Sequence, residues 1–174
     1  WHMLTAKQIL DVTKRSHPII IQNAKRVRVQ FKKVEAGSDA YGEYRQVVAI
    51  CKADSIPRQV TLKFYGRHDL GAKTWMSCTC EYFLYVCEVA LEGKDSSDII
   101  HSNGAAPSVT NPRFSPRTCK HCIAALLNGA QTLAPKVKAK PTRTPKTTTK
   151  KPTKPEKSAP NRSGRSGRSG RMTK

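Results

Sequence analysis

A chain of 174 residues carries 32 Lys and Arg against 12 Asp and Glu, a formal net charge of +20, with 37% apolar residues. That length holds one modest domain, and so large a cationic surplus must be solvated or neutralised by an anionic partner. No apolar run approaches the roughly 20 residues that a bilayer crossing needs, so a soluble protein without a membrane role is expected. The charge is unevenly placed. From Gln131 to Lys174 there are 14 basic residues and one acidic residue, Glu156, leaving 18 basic and 11 acidic residues before them.

The first segment, 1–18, opens on Trp1, His2 and Met3, which are given no role because they read as lying at or ahead of a start at Met3. Leu4 to Arg15 predicts a turn or two of helix, ended at His17-Pro18 because proline disfavours helix in the residue before it. Residues 19–73 predict an antiparallel β region. Val27, Val29 and Phe31 alternate with Arg26, Arg28 and Gln30, the period of a half-buried strand whose basic outer face continues into Lys32 and Lys33. Gly37, Ser38, Asp39 and Gly42 mark a turn, Tyr44 to Cys51 a second strand, and Ser55 to Pro57 a break. Val60, Leu62 and Phe64 then alternate with Thr61, Lys63 and Tyr65, and Thr74 to Thr79 runs as a last strand into a cysteine pair.

From Glu81 the period becomes helical, with Tyr82, Phe83, Val86, Val89 and Ala90 on one face. Residues 93–118 contain Pro107, Pro112 and Pro116 and show no sustained period, predicting a long loop. Loops beyond about 15 residues in a compact domain are usually functional or tethered. A short apolar helix follows from Cys119 to Asn128, stopped by Asn128-Gly129.

Six cysteines occur, and without a hydrophobic secretory segment ahead of them they read as reduced thiols. Cys78-Thr79-Cys80 and Cys119-Lys120-His121 form a CxC and a CxH pair, one at each side of the long loop. Three sulfurs and one nitrogen suit tetrahedral zinc with no open position, which is a structural site and not a catalytic one. Residues i and i+2 of a strand share a face, so the first pair can grip one ion, and the second pair lies at a helix entry whose free N–H groups favour thiolate. Cys122 completes a CxxC with Cys119 and offers a fourth sulfur in place of His121. It also begins the apolar set Cys122, Ile123, Leu126 and Leu127, which is the reason His121 is preferred. Cys51 and Cys87 sit in apolar runs and read as core thiols.

This pattern resembles a SWIM-type zinc finger, in which CxC, a variable gap and CxH are carried on a ββα unit; the likeness spans Thr74 to about Leu127, with Trp75 and Phe83 as apolar anchors. The gap from Cys80 to Cys119 is longer than is typical of that family. The resemblance implies binding to DNA or protein with no enzymatic activity. The expected fold is therefore α+β: a small antiparallel sheet, a zinc-binding SWIM-like module over 74–130, and a disordered basic tail over 131–174.

In that tail, prolines interrupt a Lys/Thr mixture and no aromatic residue can seed a core. Lys136, Lys138, Lys140, Arg143, Lys146, Lys150, Lys151, Lys154 and Lys157 lead into the Arg-Ser-Gly repeats of Arg162, Arg165, Arg168 and Arg171. The composition resembles linker-histone-like tails followed by an arginine-glycine segment. Each neutralised phosphate releases counterions, so these residues are the expected contacts to nucleic acid, DNA ahead of RNA, without sequence preference. An intracellular place on nucleic acid, in a nucleoid, a nucleus or a virus particle, follows, and secretion does not. The alternative is an assembly component, as of a phage or virus, whose zinc module binds protein while the tail holds it near the genome. An enzyme is not expected: His68-Asp69 and His101 lack a nucleophile motif or a phosphate cradle, and the acidic residues are scattered.

Overall fold

A computed structural model describes residues 2–133; the thirteen tail positions named above lie outside the described residues. Helix α1, Ala6–Ser16, begins in a capping box in which the Thr5 hydroxyl accepts the Gln8 N–H at 3.2 Å and the Gln8 side chain accepts the Thr5 N–H at 2.8 Å. Lys14 and Arg15 in its last turn suit the helix dipole. Pro18 does not simply end this helix. It opens a second one, α2, Pro18–Ala24, because a first-turn position needs no N–H and its fixed φ is already helical.

Four antiparallel strands follow in simple meander order, β1 (Arg28–Asp39), β2 (Gly42–Lys52), β3 (Arg58–Tyr65) and β4 (Lys73–Cys78). β1 is longer than its alternation suggested. Phe31 pairs with Ala49 and Lys33 with Val48, so Lys32 is an extra residue that switches which side chains face inward. The expected turn at Gly37-Ser38 is strand, and the chain reverses after Asp39, where Gly42 takes φ 115°.

One face of the sheet is the core. Val47, Ala49 and Cys51, then Val60, Leu62 and Phe64, then Thr74, Met76 and Cys78 are all buried on it. Helix α4, Lys120–Leu133, crosses that face with Cys122, Ile123, Ala125 and Leu126 buried against it, and α1 adds Ile9. α4 runs through the expected stop at Asn128-Gly129. Gly129 packs so near the sheet that a Cβ there would lie 3.8 Å from Phe31, Leu62 and Phe64, and this burial outweighs the weak helix propensity of glycine. Met3, given no role from sequence, is buried with Tyr65 and Trp75. The Thr74 N–H donates to the Leu4 carbonyl and the Met76 N–H to that of Ser96, so the outer edge of β4 is covered.

Between sheet and α4, the expected helix after Cys80 is a π-helical turn, Phe83–Cys87, running into α3, Glu88–Glu92. The 93–118 segment is tethered by buried polar groups. Glu88 accepts the N–H groups of Ile100, His101 and Ser102 at 3.2, 3.2 and 2.8 Å. Asn111 donates to the Val86 and Ser115 carbonyls, and Thr13 links α1 to this segment by accepting the Thr118 N–H at 3.0 Å. These bonds take the place of an apolar pattern, which is why no period is visible there. Glu88→Gln puts an amide donor among three N–H donors, and a loss of about 1–3 kcal/mol is expected. Urea unfolding measures it; a midpoint equal to that of the native chain contradicts the tether.

Candidate metal centre

The two halves of the centre are delivered by different elements. Cys78 is the last residue of β4. The strand then turns: Thr79 exchanges bonds with Gln59, its N–H donating to the Gln59 carbonyl at 3.1 Å and its hydroxyl accepting the Gln59 N–H at 3.0 Å. Cys80 follows, its carbonyl accepting the N–H groups of Phe83 and Leu84. Cys119 opens α4, its carbonyl accepting the Ile123 N–H at 3.1 Å, and His121 sits in the first turn.

The three Sγ atoms and one imidazole nitrogen of Cys78, Cys80, Cys119 and His121 all lie within 4.8 Å of one another, and all four residues are buried. A tetrahedral ion with metal–sulfur bonds of about 2.3 Å draws its ligands to about 3.8 Å apart, so a contraction of about 1 Å or less closes the set. The donor chemistry fits too. His121 is 4% exposed and neither ring nitrogen has a hydrogen-bond partner. An unsatisfied buried polar group costs about 1–3 kcal/mol, and a metal ion taking one of these nitrogens removes part of that cost.

The thiols divide in the same sense. Hydrogen bonding from Cys119 and then Cys78 holds the Cys80 thiol well below the usual range, against its burial. Burial pushes Cys119 well above it. Several sulfurs this close cannot all ionise unless a cation compensates them, and a bound metal supplies that charge.

Two of the other cysteines, Cys51 and Cys87, are buried in the apolar core. Burial raises the Cys51 thiol to about 12 and pushes Cys87 well up, as suits core thiols. Cys122 is fully buried, its N–H donating to Cys119 Sγ at 3.4 Å and its thiol directed to the Ser77 carbonyl at 4.0 Å. The group within 4.8 Å includes His121, and Cys122 adjoins it beside Cys119 and Cys78. Arg117 was not singled out from sequence, yet it is buried two residues before Cys119, donating to the Thr110 carbonyl and standing 3.3 Å from His17 Nδ1. Its only sequence signal is a charge beside a proline, Pro116. Asn23, Arg58 and Lys120 line a cleft of about 360 Å³ that opens onto Cys80, Cys119 and His121.

Compared with protein-family models, with curated proteins and with solved structures, the chain matches none. Among the described residues no helix is long and apolar enough to cross a membrane.

Cys80→Ser and His121→Ala are each expected to lower bound metal well below one ion per chain and to lower Tm sharply, because the binding free energy of a structural ion contributes directly to folding. Metal analysis beside calorimetry checks this; full occupancy with a native transition in either variant contradicts the ligand assignment. Cys51→Ala is expected to keep its metal.

Proposed function

We propose that this chain is a non-enzymatic zinc protein that associates with nucleic acid, its folded part a SWIM-like module and its tail the main source of affinity. The observation that carries the reading is the buried convergence of Cys78, Cys80, Cys119 and His121 at the base of α4. Three sulfurs and one nitrogen suit zinc ahead of harder ions. All four positions are taken by protein, which leaves no open position for substrate and favours a structural role. The strand-then-helix delivery of the CxC and CxH pairs supports the likeness to the ββα zinc unit, and the long 93–118 insertion is where this chain departs from it.

The second half of the reading rests on charge. The 14 basic residues after Ala130 match the phosphate backbone, whose neutralisation is driven by counterion release and depends steeply on salt. Binding of the whole chain to duplex DNA is expected to weaken steeply as salt rises, and a chain ending at Leu133 to lose the larger part of that slope. Equal slopes with and without the tail contradict this.

A second reading, a protein-binding assembly component, has one observation in its favour. Val109, Tyr85 and Phe114 are 90%, 67% and 45% exposed, and Phe114 is held at φ 47°, a conformation costly for an aromatic residue. All three belong to the long segment or to the helix it is tied to by the Thr110 hydroxyl, which donates to the Tyr85 carbonyl. Partners captured by the full chain and retained after nuclease treatment favour this reading; partners lost with the nucleic acid favour the first.

A further inference from the structure

The end of the sheet that holds the metal centre has a charge pattern that neither the four ligands nor the tail explains. β1 begins there and β2 ends there, and their register sets Arg28 directly opposite Lys52, both exposed. Like charges at directly opposed positions on one face repel, and no ion pair among the described residues relieves either of them. α2 ends at the same place and adds exposed Lys25 and Arg26; the Arg26 N–H donates to the carbonyl of Asn23, which lines the cleft beside the metal ligands.

Arg58 and Lys120 line that cleft as well. Arg58 donates to the Thr79 carbonyl at 3.3 Å, and Lys120 forms a long ion pair with the Asp54 carboxylate at 4.0 Å. Asp54 and Glu81 face Arg58 and Lys120 in this cleft, while Lys25, Arg26, Arg28 and Lys52 at the same end of the sheet have no acidic partner among the described residues. Toward the other end of the sheet Lys63 is paired with Asp39 at 2.8 Å and Arg67 with Asp69 at 2.7 Å, while exposed Arg45 and Lys73 have no ion pair among the described residues.

We propose that this basic end, Lys25, Arg26, Arg28, Lys52, Arg58 and Lys120, is a docking surface for the phosphodiester backbone of nucleic acid. It rests on the reading above that nucleic acid is the partner, and it moves part of the contact from the tail to the folded module. Exposed Lys and Arg side chains at a strand pair and a helix end suit phosphates and position a duplex without reading bases. The surface is also coupled to the metal, because Lys120 lies between the ligands Cys119 and His121, and Arg58 is bonded to Thr79 between the other two.

Lysine acylation followed by mass spectrometry on the metal-loaded full chain, with and without duplex DNA, tests the surface. DNA is expected to slow labelling of Lys25, Lys52 and Lys120 severalfold and to leave Lys7 and Lys73, toward the other end, unchanged. Protection of tail lysines without these three overturns the docking surface and leaves the proposed function standing; protection of no lysine overturns both. Protection of the three by polyglutamate and not by DNA assigns the surface to an acidic protein segment and overturns the proposal. In the full chain, Arg28→Gln with Lys52→Gln is expected to lower the salt slope of DNA binding by about 2, near 0.9 for each lost phosphate contact. Both side chains are exposed, so Tm is expected to hold, and an unchanged slope overturns the proposal.

Discussion

Three cysteine sulfurs and an imidazole nitrogen meeting within 4.8 Å are the constraint on which the rest of this molecule is arranged. They tie the end of β4 to the start of α4 across residues 81–118, and α4 is the helix that covers the core face of the sheet. Leave the group without a cation and the interior contains an imidazole with two unpaired nitrogens beside crowded sulfurs of conflicting ionisation. That combination is costly in a low-dielectric interior. With an ion in place the same atoms become the joint that sets where α4 begins and therefore how its apolar face meets β2, β3 and β4.

The long segment between the ligand pairs is organised by a different principle. Its backbone is held by the Glu88 carboxylate, by the Asn111 side chain and by the Thr13 to Thr118 bond, all of them buried polar contacts. Buried polar groups of this kind specify one conformation because each partner left unsatisfied is expensive. The consequence is a tethered loop that shows Val109 and Phe114 to solvent, with exposed Tyr85 of the π-helical turn beside it.

Much of the sheet was legible because one face is buried and the other is not, which writes a period of two into β2 and β3. The extension of β1 was hidden by the extra residue at Lys32: Val29 and Phe31 face inward before it and Val34 lies opposite inward-facing Val47 after it, so the alternation changes phase. α2 was missed because Pro18 carries the same letter whether it stops one helix or starts the next. The end of α4 was misplaced because Asn128-Gly129 states a local preference, whereas the contact of Gly129 with Phe31, Leu62 and Phe64 is decided by distant residues. The CxC and CxH pairs that meet in the cluster were legible from spacing alone, whereas the approach of all four groups to within 4.8 Å is set by the packing of α4 against β4.

At the end of the sheet beside this joint, Arg28 and Lys52 stand opposite each other with no acidic partner among the described residues. The Cys/His cluster and these cations therefore lie at one end of the sheet. Elemental analysis of the purified full chain, beside its circular dichroism before and after a strong chelator, tests the central claim most directly. About one tightly bound ion per chain, lost to chelator together with the cooperative unfolding transition, is the expected result. A chain that carries no metal and yet unfolds cooperatively from a native structure is the result that contradicts it.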